Sequence, residues 1–356
     1  MRSALRQLTF ASAINEALCF AMEEDHKVIF YGLGANDPKR MFGTSTGLEE
    51  KFGSERVFDM PTSENGMTGV AVGAALGGYR PVMTHLRLDF FLLAMDQLVN
   101  GAAKWHYAFG GQDSVPITIR LILGRGWGQG PTHSQSLHAW FAHIPGLKVV
   151  MPATPADAKG LLISSIRDDN PVVFLEHRWL HNQTGVVPEV DVACPLGKAK
   201  VLQEGADFTI VGISYMTVEA LHAVEHLRLH GINCDLIDLR TVSPIDFESI
   251  EASVRKTGRL LVLDTGAAQC SVASEIVAGV SMRCHADLRG APLMLTSPDC
   301  PVSTSFGVSH LFYKTAVDVV NSVSGALGTE VPVDALVERQ SQTPHDVPGD
   351  WFKGPF

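Results

Sequence analysis

The amino-acid sequence predicts an α/β protein built from two doubly wound domains. Signals for strands and helices alternate along most of the chain, and this alternation lapses once near the middle. The length of 356 residues also exceeds the roughly 250–300 residues at which a single hydrophobic core stops growing. Alternating strands and helices are typical of a parallel sheet with helices packed on both faces.

The first domain is predicted over residues 1–190. Its opening helix, 9–25, has an apolar stripe with a spacing of four residues, and the next segment, "KVIFYG", is typical of a short buried strand ended by glycine. The stripe consists of Phe10, Ile14, Leu18 and Met22. The pattern continues with helices over 65–78, 90–109 and 155–168 and strands over 80–86, 115–123 and 171–176.

The second domain is predicted over residues 191–325. Periodicity lapses between Trp179 and Gly197, which we interpret as the linker between the domains. Beyond it, strands are predicted at 208–214, 234–239, 259–264 and 293–297, and helices at 217–230, 246–257, 271–282 and 309–323. The C-terminal tail, 326–356, has no periodicity, and the sequence leaves open whether it is disordered or docked through its aromatic residues. These aromatic residues are Trp351, Phe352 and Phe356.

The composition argues against several classes of partner and compartment. A formal net charge of −10 with no run of like charges argues against nucleic acid or an anionic membrane as the main partner. The sequence starts without a cleavable leader pattern, and the apolar run from Val70 to Leu76 is far shorter than the ~18 residues of a membrane span. The six scattered cysteines fit a reducing compartment, so we expect a cytoplasmic protein whose thiols are mostly inert core residues.

The stretch "SENGMTGVAVGAALGG" predicts a helix with glycine at every fourth position, at Gly69, Gly73 and Gly77. Such a face lets another backbone approach closely, either inside the domain or at a subunit interface. Glu64 lies at the start of this helix, after Ser63, which is a suitable cap. From these residues alone, Glu64 is either an exposed acid that complements the helix dipole or a carboxyl group held in a crevice for chemistry.

The glycine-rich stretch 124–143 follows a predicted strand and therefore lies where ligands bind at the carboxyl edge of a parallel sheet. It contains neither of the common phosphate-binding glycine motifs. Its residue His133 is either a general acid or base or a structural histidine. Further on, "HAVEH" matches a zinc-peptidase pattern, but the apolar residues of that helix lie on the opposite face, which predicts that His222 and His226 are on a solvated surface.

The chain resembles the β subunit of the decarboxylating component of 2-oxoacid dehydrogenase complexes, of the pyruvate and branched-chain types. The resemblance is carried, in order, by "TSENGMTGVAVGAALGGYRPV", "DFFLLAMDQLVNGAAKWHYAFGGQ", "GQGPTHSQSLHAWFAHIPGLKVVMPATPADAKGLL" and "IRDDNPVVFLEHR", and it covers residues 5–325. These proteins are thiamine diphosphate enzymes with a transketolase-like fold. The resemblance therefore implies a transketolase-like pyrimidine-binding domain followed by a transketolase C-terminal domain.

The resemblance also implies roles for individual residues. In the family, the glutamate of the S-E-x-G motif, here Glu64, hydrogen-bonds N1′ of the aminopyrimidine and thereby promotes removal of the thiazolium C2 proton. His133 is implied as a second catalytic residue that faces the substrate and the acyl acceptor. Phe90 is implied to pack on the pyrimidine, and Thr62 to contribute to cofactor binding. A structural potassium ion is implied at Ile117, Ser165, Ile166, Asp168 and Asn170, mostly through backbone carbonyls.

A missing motif implies a partner. Thiamine diphosphate enzymes bind the diphosphate and its Mg²⁺ through a G-D-G motif with a following asparagine, and this sequence contains no GDG. The resemblance therefore implies an α subunit that carries the diphosphate and Mg²⁺ half of the active site, in an α2β2 heterotetramer. It also implies a lipoyl acyltransferase or a carrier protein as acceptor.

The chain departs from the family where the substrate funnel and the docking surfaces are expected. Leu33 replaces an acidic residue and Leu93 a glutamine, while "DTGAAQCSVASEI" and "SPDCPVSTSFG" replace the usual E-G-G and D-x-P-x-P segments. Three functions stay open. The chain belongs either to an enzyme that decarboxylates a 2-oxo acid and acylates a lipoyl domain, or to one that transfers a two-carbon ketol or acyl unit to a sugar or carrier thiol, or it is a catalytically silent scaffold.

Overall fold

The structure is a computed structural model that describes residues 5–37, 40–124, 128–189 and 193–342. The chain divides into two compact units. The first unit holds the described residues up to 123 together with 140–196, and the second holds 124–139 together with the described residues from 197 onwards. The segment that carries His133 is therefore grouped with the second unit, which the sequence did not indicate. Both units consist of a mainly parallel sheet with flanking helices, so the predicted α/β class is confirmed.

The sheet of the first unit is parallel and follows the strand order β6-β7-β5-β4-β2-β3. The strands up to residue 188 are β1 (Leu5–Thr9), β2 (Val28–Gly32), β3 (Val57–Asp59), β4 (Arg80–His85), β5 (Thr118–Leu123), β6 (Lys148–Val150), β7 (Val172–His177) and β8 (Thr184–Pro188). Strands β1 and β8 form a separate antiparallel pair. The sequence analysis identified β2, β4, β5 and β7. It missed the three-residue strands β3 and β6, which are too short to show periodicity.

The helices up to residue 167 include the four that were predicted, one of which is divided, and two five-residue helices that were not predicted. They are α1 (Phe10–Glu24), α2 (Leu48–Phe52), α3 (Glu64–Leu76), α4 (Leu88–Phe91), α5 (Ala103–Ala108), α6 (His138–Ala142) and α7 (Pro155–Arg167). All four residues of the predicted stripe on α1 are buried. The helix predicted over 90–109 is divided, because a 3₁₀ turn at Leu92–Ala94 and a π turn at Gln97–Ala102 separate α4 from α5. Such departures from α geometry are frequent at functional sites.

The sheet of the second unit has the order β14-β13-β10-β11-β9, in which only β9 is antiparallel to its neighbour. The strands from residue 200 are β9 (Lys200–Gln203), β10 (Phe208–Gly212), β11 (Cys234–Asp238), β12 (Thr241–Ser243), β13 (Leu260–Ala267) and β14 (Leu293–Ser297). The helices are α8 (Tyr215–Leu229), α9 (Phe247–Thr257), α10 (Val272–Arg283), α11 (Ser309–Phe312), α12 (Ala316–Leu327) and α13 (Asp334–Ser341). All the strands predicted for this domain, and its first three predicted helices, are present within a few residues of their predicted ends. The helix predicted over 309–323 is divided, because the extended backbone at Tyr313 ends α11 and a new helix, α12, begins at Ala316.

The first part of the C-terminal tail packs on α8. Pro332 accepts a hydrogen bond from Nε2 of His226 at 2.7 Å, and Leu336 on α13 is buried. The prediction of a solvated histidine surface is therefore wrong for His226, because the tail covers this residue. His222 lies nearby, and its pKa is lowered by burial and by the positive charge of Arg339. The aromatic residues Trp351, Phe352 and Phe356 lie outside the described residues. Within the described ranges, no helix combines the length and apolar character needed to cross a membrane.

Candidate functional site

Glu64 begins α3 and is buried, with only 7% of its surface exposed. Its neighbour Ser63 occupies the capping position but makes no side-chain cap bond. The Glu64 carbonyl accepts a hydrogen bond from Oγ1 of Thr68 at 2.8 Å, while its carboxylate has no donor among the described residues. The alternative of an exposed acid that only complements the helix dipole is therefore wrong. A buried carboxylate that lacks a donor is suited to an external hydrogen-bond partner.

The glycine face of α3 lies largely on the surface of the first unit. A Cβ added at Gly73 would meet nothing within 4 Å, and Val70 and Leu76 on the same helix are exposed. Gly69, by contrast, packs closely against the side chain of Gln97. Tight packing inside one domain therefore accounts for Gly69 but not for Gly73. An exposed helix face made of glycine and apolar residues is suited to a close contact with another protein chain.

Phe90 lies on α4, just beyond the carboxyl end of β4. It is half-buried, whereas its neighbour Phe91 is fully buried and contacts the ring of His85 edge-on, with centroids 5.0 Å apart. Helix α3 packs against α4 and the turns that follow it. Glu64 and Phe90 are thus carried by neighbouring elements at one edge of the sheet, the edge at which open α/β sheets bind ligands. Thr62 lies two residues before Glu64 and is exposed.

His85 is a buried histidine that sequence reasoning missed. Burial lowers its pKa to about 4, and neither ring nitrogen has a hydrogen-bond partner among the described residues. The ring is therefore neutral near pH 7 and packs as an apolar group against Phe91.

The segment 128–138 carries His133 within the second unit. His133 is half-buried, and its Nδ1 lies 3.0 Å from Oγ1 of Thr132. Five residues later, the buried His138 places its Nε2 2.8 Å from Oδ1 of the buried Asp264 on β13. This contact is close, although it is not directed well enough to count as a strong hydrogen bond. Gly130 packs so tightly on Thr304 that an added Cβ would clash with that side chain.

Asp264 is held in its charged form by its surroundings. Burial alone raises its pKa, but the His138 ring and the backbone amides of Gly266 and Ala273 outweigh this effect and leave the pKa below its usual value. Sequence reasoning missed the pair of His138 and Asp264, although the stretch "HSQSLHAW" places His138 only five residues after the predicted site. The partner 126 residues further on could not be inferred from local sequence.

A second buried polar group lies inside the first unit. Nε of Arg120 donates to Oε1 of Glu176 at 2.6 Å, and Nε2 of His181 lies 3.1 Å from Oε2 of the same carboxylate. Burial raises the pKa of Glu176, but the charges and hydrogen bonds of Arg120 and His181 lower it to about 2. All three side chains are buried. We interpret this group as a structural ion pair between β5 and β7, because each carboxylate oxygen is satisfied.

The five residues implied for potassium lie in the first unit, and two of their carbonyls converge on one atom. Nη1 of Arg80 donates to the carbonyls of Ile166 and Asp168 at 3.2 and 3.0 Å. Two of the other three carbonyls also accept hydrogen bonds, that of Ser165 from Oγ1 of Thr118 at 3.1 Å and that of Ile117 from the Val172 amide at 3.0 Å. The amide of Asn170 donates to Oδ1 of Asp168, and Nζ of Lys148 contacts Oδ2. The Arg80 guanidinium therefore contacts two of the carbonyls that the resemblance implied as potassium ligands.

Comparison with known proteins covers both units. Residues 6–183 match the pyrimidine-binding domain of transketolase, and residues 197–319 match the transketolase C-terminal domain. Over 324 residues the chain is 40% identical to the β subunit of an acetoin:2,6-dichlorophenolindophenol oxidoreductase from Cupriavidus necator, covering 88% of this chain and 96% of that protein. It is also 40% identical, over 318 residues, to the β subunit of the pyruvate dehydrogenase E1 component from Rickettsia bellii, covering 89% of this chain and 98% of that protein.

The chain belongs to this family of transketolase-like E1 β subunits. The β subunit of the pyruvate dehydrogenase E1 component from Bacillus subtilis is a further relative, 40% identical over 296 residues and covering 83% of this chain and 91% of that protein. The family and the two domain types predicted from the sequence are confirmed. As a member of this family, the chain is the β subunit of a thiamine-diphosphate-dependent enzyme that also has an α subunit.

A solved structure supports the same fold. The split-gene transketolase in an inactive β4 tetramer aligns with a TM-score of 0.73 and 24% sequence identity, covering 90% of this chain and 98% of that chain. At this level of identity the likeness establishes the fold alone.

Proposed function

We propose that this E1 β subunit, together with an α subunit, decarboxylates a small 2-oxo acid and transfers the resulting acyl unit to a lipoyl domain. The observation that carries the proposal is Glu64, a buried carboxylate at the start of α3 that has no donor among the described residues. The Ser63-Glu64-Asn65-Gly66 sequence around it matches the family's S-E-x-G motif. When bound, thiamine diphosphate supplies the carbanion chemistry that the side chains of a protein cannot supply alone.

The residues of the first unit fit the aminopyrimidine half of that cofactor. In this proposal the Glu64 carboxyl group shares a proton with a ring nitrogen of the pyrimidine, because burial strengthens such a contact by excluding water. The half-buried Phe90 offers an aromatic surface to the same ring, and stacking of aromatic rings contributes about 0.5–1.5 kcal/mol. Thr62 is exposed just before the helix and is available for a polar contact.

His133 is proposed as the acid or base that acts on the substrate or on the acyl acceptor. A histidine changes its charge near neutral pH and is therefore suited to move a proton at the substrate carbonyl or at an acceptor thiol. Its segment is anchored on both sides, by Gly130 against Thr304 and by His138 beside Asp264. These two anchors restrict the backbone that presents His133, and a restricted backbone holds a catalytic group in position.

An α subunit is proposed to bind the diphosphate and Mg²⁺ in an α2β2 heterotetramer. Two observations support this proposal. The sequence has no GDG motif, and α3 exposes a face of glycine and apolar residues that another chain can cover. A lipoyl acyltransferase is proposed as the protein that receives the acyl group, with a carrier protein as the alternative acceptor.

Potassium and Arg80 are proposed to be alternatives at the carbonyls of Ile166 and Asp168. The guanidinium already brings a positive charge to within 3.2 Å of both oxygens. In this proposal a potassium ion binds there only when the Arg80 side chain moves away, so Arg80 reduces the need for the ion.

The relatives' names suggest a second donor for the same site. One relative at 40% identity is a subunit of an acetoin oxidoreductase, while two others at 40% belong to pyruvate dehydrogenase. Acetoin therefore stands beside the 2-oxo acids as a candidate donor. Because both reactions would use the same cofactor, Glu64 and His133 are proposed to act in either case.

The experiment is co-expression of the chain with an E1 α subunit from the same organism, followed by an assay with a soluble electron acceptor. The assay compares pyruvate, branched 2-oxo acids and acetoin as donors and is repeated without thiamine diphosphate. We expect cofactor-dependent oxidation of one donor and its loss in Glu64→Gln. Cofactor binding without turnover of any of these donors would favour transfer of a two-carbon ketol unit to a sugar. A fully active Glu64→Gln enzyme would favour a silent scaffold.

A further inference from the structure

Two of the six cysteines are exposed, and both lie at the same edge of the second unit. Cys270 follows β13, and Cys300 follows β14. Cys234 and Cys284 are buried, and Cys19 and Cys194 are half-buried. The expectation that most thiols are inert core residues therefore does not hold for Cys270 and Cys300, and both of them lie in the stretches where the chain departs from its family.

The register of the sheet brings together the strand ends that lead to these two cysteines. Strands β13 and β14 are parallel neighbours, and after an irregularity between Leu263 and Ala267 their last paired residues are Ala267 and Ser297. Each exposed cysteine lies three residues beyond that pair, so the two segments that carry the cysteines leave the sheet side by side. Adjacent strands are ~4.8 Å apart, which falls within the Cα separation of ~4.4–6.8 Å that a disulfide spans.

A hydrogen bond beyond the strands shows that these two segments of the chain stay close together. The amide of Gln269 donates to Oδ1 of Asp299 at 3.1 Å, and these residues immediately precede the two cysteines. Within the sheet, Oγ of Ser297 donates to the carbonyl of Thr265 at 3.0 Å and fixes the same edge. The register and this bond are independent observations, and both bring together the two segments that carry Cys270 and Cys300.

We propose that Cys270 and Cys300 form a reversible intrachain disulfide, a modification site of the second unit. With a peroxide as oxidant, the thiolate of one cysteine attacks the O–O bond, which yields a sulfenic acid and hydroxide. The second thiol then attacks the sulfenic sulfur, so that the S–S bond forms and water leaves. The two sulfurs together lose two electrons, which the peroxide gains, and a dithiol restores the reduced state by thiol–disulfide exchange.

The disulfide would join the segments that follow β13 and β14, next to the residues that contact the segment 128–138. Asp264 and Gly266, just before Cys270, contact His138, while Thr304, just after Cys300, contacts Gly130. Oxidation would therefore restrain both supports of the His133 segment at once. The modification site itself does not depend on the proposed function, because it is defined by the register of β13 and β14.

The test uses the full chain, reduced and then treated with hydrogen peroxide at low protein concentration. Free thiols are blocked with a maleimide, and the protein is digested with trypsin. The sequence suits this design, because trypsin places Cys270, Cys284 and Cys300 in three different peptides, 260–283, 284–289 and 290–314. We expect a new species in which 260–283 is linked to 290–314, with the loss of two hydrogen atoms, and its disappearance on treatment with dithiothreitol.

Three variants make the outcome specific. Cys270→Ser and Cys300→Ser should each abolish the linked species, whereas Cys194→Ser, which removes a half-buried thiol elsewhere, should leave it unchanged. Pairing of either cysteine with Cys284 or with another chain would overturn the proposal. The proposal would also be overturned if both thiols still reacted with the maleimide after peroxide treatment, because they would then have remained reduced. Recovery of both cysteines only as sulfinic acids would overturn it as well.

Discussion

His138 and Asp264 form a buried pair in the second unit, with Nε2 of the imidazole 2.8 Å from Oδ1 of the carboxylate. The pair joins the first turn of α6 to β13 and so fixes the chain five residues after His133. A charged carboxylate in a dry site requires its partner, because a lone buried charge is strongly destabilising. The position of His133 therefore depends on His138, for which no contact with the substrate is proposed.

Loss of this partner is predicted to impair turnover more than binding. His138→Leu should lower kcat by up to about 10²-fold with little change in KM, because a small displacement of a catalytic group has effects of that size. His138→Gln retains an N–H that reaches Asp264, and it should restore most of the activity. Steady-state kinetics of the αβ enzyme measure both quantities. Equal losses in the two variants, or a change confined to KM, would contradict a positioning role.

The glycine face of α3 is predicted to be the contact with the α subunit. Gly73→Leu should leave the isolated chain folded, because an added side chain meets nothing within 4 Å and leucine favours a helix over glycine by about 0.5–1 kcal/mol. It should nevertheless abolish co-purification with the α subunit. Gly325→Leu is the matched control, because Gly325 is also helical, exposed and free of neighbours. If Gly73→Leu still bound the α subunit as wild type does, this face would not be the interface.

His85 is predicted to make the protein sensitive to mild acid. Its pKa falls from 6.5 to about 4 in the folded chain because of burial. Below pH 6.5 the unfolded chain therefore binds a proton at His85, whereas the folded chain does not. The free energy of unfolding falls as the pH drops from 6.5 towards 4. His85→Phe should remove this loss, so the unfolding free energy of the variant should fall less between pH 7 and pH 5 than that of the wild type. Urea denaturation at both pH values measures the difference, and an unchanged pH dependence in the variant would contradict the assignment.

Arg80 is predicted to reduce the effect of potassium on stability. In the wild type, the melting temperature should be the same in KCl and NaCl, because the guanidinium already contacts the carbonyls of Ile166 and Asp168. Arg80→Met removes this charge and should melt at a higher temperature in KCl than in NaCl. Thermal unfolding in the two salts is sufficient. A wild type that KCl stabilises as much as the variant would show that the ion and the guanidinium bind together.

The sequence predicted the regular parts of the fold because their signals are local. The stripe on α1, the buried strands and the alternation of elements each lie within a window of ten to twenty residues, and the structure follows them. The short strands β3 and β6 and the antiparallel pair of β1 and β8 depend on distant partners. Their formation is decided by tertiary contacts, which local periodicity does not contain.

The candidate site also has a part that local sequence predicted and a part that depends on long-range contacts. Motifs that lie together in the chain, around Glu64 and His133, led to the family, and the burial of Glu64 agrees with its predicted crevice position. The groups that the sequence missed are assembled across long stretches of chain: His138 with Asp264, Arg120 with Glu176, and Gln269 with Asp299. No local pattern marks such pairs, since either member alone is an ordinary polar residue.

The proposed role of Glu64 is tested most directly by measuring how fast the thiazolium C2 proton of thiamine diphosphate exchanges in the assembled αβ enzyme. Proton nuclear magnetic resonance after rapid mixing with D₂O and acid quench measures its rate. We expect Glu64→Gln to slow this exchange by about 10²- to 10⁴-fold, the range for loss of a positioned proton-transfer group. Glu275→Gln, which changes an exposed acid in the first turn of α10, should exchange at the wild-type rate. Wild-type exchange in Glu64→Gln, with the cofactor bound, would contradict the account.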